Sequence, residues 1–264
     1  DVVNESVKRD GSWFSEKPGT DKWENPWTQI GFNQDSIPKY IVKAFEIANQ
    51  YANNVKLVYN HNGGMEKIMW KKIMETISYL KAKGLRVDAI GWQAHLRTNS
   101  LSENDMIFFD YLIDWAHENN LEFHVTELNL WIKDDINNLD SVQNIQSGLY
   151  KKIIEKLISK KSSGIVALNF WGLKNRTGNN SLNKNILSIY NQSLNPNPAF
   201  NTIIAHDCRW RARHGSWRFF WRVSGWIAGK FNLNFERLFA RCHWQSTGAG
   251  ARIIRLHSGF IYHL

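Results

Sequence analysis

The sequence predicts an α/β fold built on a parallel sheet, of the (β/α)8 barrel kind, and three observations predict it. Short runs rich in β-branched residues recur along the first 206 residues, segments of helical period separate them, and a polar or aromatic side chain stands at the end of each run. Alternation at this spacing argues for parallel strands covered by helices. A doubly wound sheet is the rival, but it gathers its ligand groups at one switch point. A functional group at each successive strand end is the habit of a barrel.

The chain opens on Asp1-Val2-Val3-Asn4-Glu5, where the valines read as the end of a buried strand and Glu5 lies just past it. Asp35, Ser36 and Pro38 then signal a helix start, with Ile41, Ala44, Phe45 and Ala48 as its apolar stripe. VKLVYN (55–60) is the second strand and ends on Asn60. Met69, Ile73, Ile77 and Leu80 make the second helix, which stops at Gly84. RVDAIGWQ (86–93) follows, with Gln93 and His95 at its end, and then a third helix on Met106, Phe109, Ile113 and Ala116. FHVTELNL (123–130) carries Glu127, and a fourth helix on Ile145, Leu149, Ile153 and Leu157 ends at Lys160-Lys161, cations that suit a helix C-terminus. GIVALNFWG (164–172) ends on Trp171, and a short helix is expected from Pro198 to Ala205. These are five strands, too few to close an eight-stranded barrel.

Composition excludes several classes. The hydrophobic share of 43% supports a real core, and no uncharged apolar run reaches the roughly 18 residues of a membrane span. The longest apolar stretch, Phe219 to Phe231, is broken by Arg222 and Lys230. No phosphate-binding glycine loop occurs, and Gly63-Gly64 marks a turn. Cys208 and Cys242 are too few for a disulfide framework, and with His214 and His243 they lack zinc spacing. The net charge of +9 is concentrated at one end. From Asp207 onward one Lys and nine Arg face two acids, a net of +8, and five of the 13 Trp lie there. The sequence therefore divides into 1–206 and a basic Arg/Trp-rich extension, 207–264. CRWRARHGSWRFFWR (208–222) has the charge and stacking groups to bind nucleic acid or an anionic membrane. The abrupt change from Lys to Arg reads better as a fused or frame-shifted segment that does not continue the barrel.

Glu5 and Glu127, at the tops of two inner strands, are candidates for a pair of carboxylates across a cleft. Glycosidic bond cleavage needs such a pair, one protonated for the leaving oxygen and one ionised beneath the sugar. The proximity of the second carboxylate keeps the first protonated. From spacing alone a structural role for both is as good a reading. His95 alone reads as a hydrogen-bonded histidine, Trp92 and Trp171 as core aromatics, and Gln93 favours neither role.

Taken together, DVVNE (1–5), VDAIGWQAHL (87–96), VTELNL (125–130) and FWG (170–172), with PWTQIGF (26–32) before the first helix, resemble the glycoside hydrolase family 10 xylanases. The resemblance runs to about Ala205 and corresponds to strands 4 to 8 of that family's barrel, so strands 1 to 3 are expected to lie outside this sequence. It implies a retaining endo-β-1,4-xylanase that needs no metal and no cofactor. Glu5 would be the acid/base, Glu127 the nucleophile, and Asn4 the contact to the sugar 2-hydroxyl. Gln93 and His95 would surround the nucleophile, and Trp171 would form the floor under the sugar.

Three places depart from the family pattern. An aspartate is usual two residues after the nucleophile, where this chain has Asn129, which alters what sets the charge of His95. The strand-5 stretch is shortened to Asn60-His61-Asn62, and LKNRTGNN (173–180) stands where more aromatics are usual. The resemblance further implies xylan or xylo-oligosaccharides as partner, neither nucleic acid nor membrane, a monomer, and a secreted or cell-surface location. A barrel glycosidase acting on another β-1,4-glycan and a non-catalytic protein binding through 207–264 are the alternatives.

Overall fold

A computed structural model describes residues 1–132, 139–176, 185–214, 223–224, 245–246 and 252–253, the last 58 residues as backbone only. In chain order the elements are β1 (Val3–Asn4), a 3-10 helix (Pro26–Ile30), α1 (Lys39–Tyr51), β2 (Val58–His61), α2 (Lys67–Ala82), β3 (Ala89–Trp92) and β4 (His95–Leu96). There follow α3 (Glu103–Glu118), β5 (Glu122–Ile132), α4 (Leu139–Lys160), β6 (Val166–Trp171), β7 (Asn185–Leu187) and α5 (Pro198–His214). Beyond them lie the two-residue strands β8 (Val223–Ser224), β9 (Gln245–Ser246) and β10 (Arg252–Ile253).

The main sheet runs β1-β2-β3-β5-β6-β8, every neighbour parallel. Each step from β1 to β6 is crossed by a helix, as a parallel connection requires. The five expected strands are therefore present, in the expected order, as part of a (β/α)8 barrel fold. Their strand ends all point the same way, which collects Glu5, Asn60, Gln93, His95 and Trp171 on one face.

The helical stripes explain why these segments dock. In α2, Met69, Trp70, Ile73, Ile77 and Leu80 are all fully buried, and each such side chain contributes about 1.5–3 kcal/mol by leaving water. α3 starts at a capping box in which Ser102 and Asp105 satisfy each other's backbone N–H groups. In α1, Ile41 and Phe45 are buried.

The fourth stripe differs from expectation. Ile145 is exposed, and the buried face of α4 is Gln146, Leu149, Tyr150, Ile153, Ile154 and Leu157. Gln146 is held inside because its Nε2 donates to the Ser188 carbonyl and the Tyr150 hydroxyl. The remote Ser188 carbonyl thus puts Gln146 inside where Ile145 was expected, while Leu149, Ile153 and Leu157 are buried as expected.

The 3-10 helix, β4 and the antiparallel β7 on β5 are additional to the predicted elements. The division expected at residue 206 falls inside α5, whose backbone helix continues to His214, and β8 pairs with β6 at Phe170 and Trp171. The readings of the side chains in 208–222, and of Cys208, His214, Cys242 and His243, lie outside the described residues. So does most of 173–180. Among the described residues no helix is long and apolar enough to cross a membrane.

Candidate active site

Parallel pairing sets Asn4 beside Asn60 and Asn60 beside Gly91. Side chains at one level of neighbouring strands stand on the same face, so Asn60 comes between the two carboxylate strands. Its Nδ2 lies 3.0 Å from Asn4 Oδ1, 3.1 Å from Glu127 Oε1 and 3.1 Å from Asp1 Oδ2, while its Oδ1 accepts from Thr126 Oγ1 at 2.8 Å. Gly91 makes this possible, because a Cβ there would stand 2.6 Å from Asn60 Oδ1.

Glu5 follows β1 with a positive φ of 52°, uncommon for a residue with a side chain. Its N–H donates to the Asn60 carbonyl, and its Oε1 accepts from Gln93 Nε2 at 2.7 Å. The same Nε2 reaches Asn4 Oδ1 at 3.1 Å. A continuous polar relay thus runs from Glu5 through Gln93, Asn4 and Asn60 to Glu127.

Glu127 sits on β5, where pairing with β6 shifts between Val125 and Leu128. Beyond this irregularity Glu127, Asn129 and Trp131 alternate along one face, and His95 on β4 touches all three. His95 Nε2 stands 3.3 Å from Glu127 Oε2 and Nδ1 stands 2.9 Å from Asn129 Oδ1. Its ring stacks on Trp131 with centroids 4.8 Å apart. Trp171, 39% exposed, meets the same imidazole edge-on at 6.3 Å.

The neighbouring His61 is a different kind of group. It is fully buried, and its Nε2 accepts the Val7 N–H at 3.0 Å while Nδ1 faces the Asn62 carbonyl. Burial holds its pKa below the ordinary histidine value, against the hydrogen bonds and nearby Glu5. It is a neutral support for the loop after Glu5.

A polar cleft of about 570 Å³ opens over these strand ends, lined by Glu5, Arg9, Trp92, Gln93, His95 and Arg97 among others. Its other carboxylates are already engaged: Glu66 with Arg9 and the Gly64 N–H, Asp105 with Ser102. A hollow of about 620 Å³ between α1 and α2 contains none of these groups. Among the described residues no cluster of His, Cys, Asp and Glu is arranged to hold a metal.

Every site residue read from the sequence is thus in one neighbourhood: Asn4, Glu5, Asn60, Gln93, His95, Glu127, Asn129 and Trp171. The arrangement holds one carboxylate (Glu127) between two hydrogen-bond partners, Asn60 and His95, and sets another (Glu5) in the lining of the cleft. Four contributors went unread. Thr126 and Asp1 carry no signal of their own. Trp131 lies two residues past Asn129, so strand alternation places it on the same face. Gly91, a glycine inside a strand, signals a close approach by a neighbour.

The chain is similar over most of its length to known glycosidases. Endo-1,4-beta-xylanase A of Thermoanaerobacterium saccharolyticum is 28% identical over 206 residues, 77% of this chain and 16% of that one. Exoglucanase XynX of Acetivibrio thermocellus is 29% identical over 174 residues, 66% of this chain and 14% of that one. The solved structure of xylanase 10B from Thermotoga maritima superposes with a TM-score of 0.65 at 23% identity, over 81% of this chain and 61% of that chain. This chain therefore spans less than two thirds of the length of each of these three. The model of glycosyl hydrolase family 10 matches residues 1–206, and the chain belongs to that family.

Proposed function

We propose that residues 1–206 carry the catalytic carboxylates of a retaining endo-β-1,4-xylanase, and that 207–264 is a separate extension. The observation that carries this reading is the relay joining Glu5 to Glu127 through Gln93, Asn4 and Asn60. Glu127 attacks the anomeric carbon, and Glu5 gives its proton to the departing glycosidic oxygen. Water, losing its proton to Glu5, then attacks the glycosyl ester and frees Glu127, so configuration is retained.

Asn4 suits the contact to the sugar 2-hydroxyl. Its Oδ1 already takes hydrogen bonds from Asn60 and Gln93, which leaves Nδ2 to donate. The exposed face of Trp171 suits the C–H edge of a pyranose. The same reading takes the enzyme as secreted or held at the cell surface, as a monomer without cofactor, binding neither nucleic acid nor membrane. A second reading, another β-1,4-glycan as substrate, is favoured by the relative named an exoglucanase.

Reducing-sugar release from xylan and from β-1,4-glucan separates the two readings. Glu127→Ala should abolish activity on xylan and on activated aryl xylosides alike. Glu5→Ala should lose about 10²–10⁴-fold on xylan yet still form the glycosyl intermediate from aryl xylosides whose leaving group needs no proton. Equal losses for both variants on those aryl substrates would overturn the assignment.

A further inference from the structure

His95 lies along β5 with Glu127 at one nitrogen, Asn129 at the other and Trp131 beneath the ring. Among the described residues Glu127 is the charged group it touches; Glu5, Arg9 and Arg97 face the same cleft from the loops after β1 and β4. Asn129 is fully buried, and its Nδ2 finds no partner among the described residues.

An amide's oxygen and nitrogen are told apart by their hydrogen bonds rather than their shape. With Oδ1 toward the ring, His95 Nδ1 must donate, and Nε2 can then donate to Glu127 only from a doubly protonated imidazolium. Both hydrogens of Nδ2 stay buried and unbonded. With the amide turned over, Nδ2 donates to Nδ1 of a neutral ring, and the ring's single proton sits on Nε2, donated to Glu127. One Nδ2 hydrogen is then bonded, so one N–H is left over instead of two, together with a carbonyl oxygen, which tolerates burial without a partner better than an N–H does.

We propose that Asn129 is a positioning residue whose Nδ2 holds His95 as the neutral Nε2–H tautomer, so that two neutral donors, His95 and Asn60, hold the Glu127 carboxylate. The consequence for catalysis rests on the reading of Glu127 as nucleophile. An imidazolium would stabilise the carboxylate before reaction and forfeit that attraction when Glu127 becomes an ester. Neutral donors forfeit less, so less ground-state stabilisation has to be overcome.

Nitrogen-15 NMR of the full chain labelled at histidine reads this directly. The His95 signals are assigned as those missing from His95→Gln, or by contact of the ring with Trp131. At pH 7 one protonated nitrogen, Nε2, and one bare nitrogen, Nδ1, are expected. In Asn129→Asp the new carboxylate favours a second ring proton, and both nitrogens should read as protonated. A wild-type ring protonated on both nitrogens, or on Nδ1 alone, overturns the proposal, so the wild-type spectrum decides even where the Asp variant does not fold. Failure to cleave xylan would sink the proposed function and leave this spectrum as it is.

Discussion

Replacing Gly91 with alanine tests whether the relay between the carboxylates depends on one absent methyl group. The added Cβ would meet Asn60 Oδ1 at 2.6 Å, Val58 Cγ1 at 3.0 Å and Thr126 Cγ2 at 3.1 Å. Asn60 has little room to yield. Thr126 holds its Oδ1, while Asp1, Asn4 and Glu127 take its Nδ2. Overpacking a filled interior costs about 1–3 kcal/mol. For a domain of roughly 200 residues each kcal/mol moves Tm by about 2–4 °C, so the expected fall is about 2–12 °C. The rate should suffer separately. An Asn60 driven off Glu127 gives up a charge-assisted bond worth about 1.5–3 kcal/mol, or about 10- to 150-fold in kcat/KM where the whole bond counts in the transition state. Thermal unfolding followed by near-UV circular dichroism, beside hydrolysis of an aryl xyloside, measures both. Gly148→Ala on α4 is the control, because a Cβ there meets nothing within 4 Å, and alanine favours a helix by about 0.5–1 kcal/mol over glycine. A Gly91→Ala protein that melts and turns over like the wild type would refute the packing argument.

Two further predictions concern acid stability. The folded chain resists protonating His61, whose ordinary pKa is 6.5 and which burial holds lower, so stability is complete above that value and falls as the pH drops below it. Denaturant midpoints should fall from pH 7.5 to 5 in the wild type and less in His61→Gln; equal falls would count against this role. Glu122 is lowered from 4.5 to about 2, first by its hydrogen bond to His124 and then by Lys56, so its contribution is present above pH 4.5 and lost as the pH falls toward 2. Discounted for solvent screening, that is about 1–2 kcal/mol, which Glu122→Gln should lose at pH 6, with the gap to wild type narrowing below pH 4.5; a gap independent of pH would exclude the ion-pair account.

The parts of the fold that were legible are those where one residue's neighbours lie within a turn or a strand of it. Met69, Ile73, Ile77 and Leu80 repeat at helical spacing, and all four are fully buried. Ile145 misled because what buries Gln146 in its place is a carbonyl at Ser188, remote in sequence. Strand-end placement made the catalytic candidates legible, since the sheet is parallel and its strand ends converge. How the candidates are wired to one another was not legible. The three contacts of Asn60 Nδ2 depend on cross-strand register, and no local pattern reports register between strands separated by a helix.

The backbone devices that aim the two glutamates lie deeper still. Glu5 occupies the left-handed region, which costs a non-glycine residue about 1–2 kcal/mol, and the hydrogen bonds to Asn60 and Gln93 hold it there. Glu127 needs the opposite remedy. By strict alternation it would share the face of Phe123 and Val125, both fully buried, with Phe123 packed against Phe109 of α3. Three steps along β5 from Val125 to Leu128 match two along β6 from Leu168 to Phe170. That extra residue is a bulge, and it lets Thr126 and Glu127 both reach Asn60. Downstream of it the alternation resumes on the cleft side, which is why Asn129 and Trp131 also meet His95. One glutamate is thus turned inward by a strained dihedral and the other by an inserted residue, and Asn60, bonded on both sides, ties the two distortions to one another.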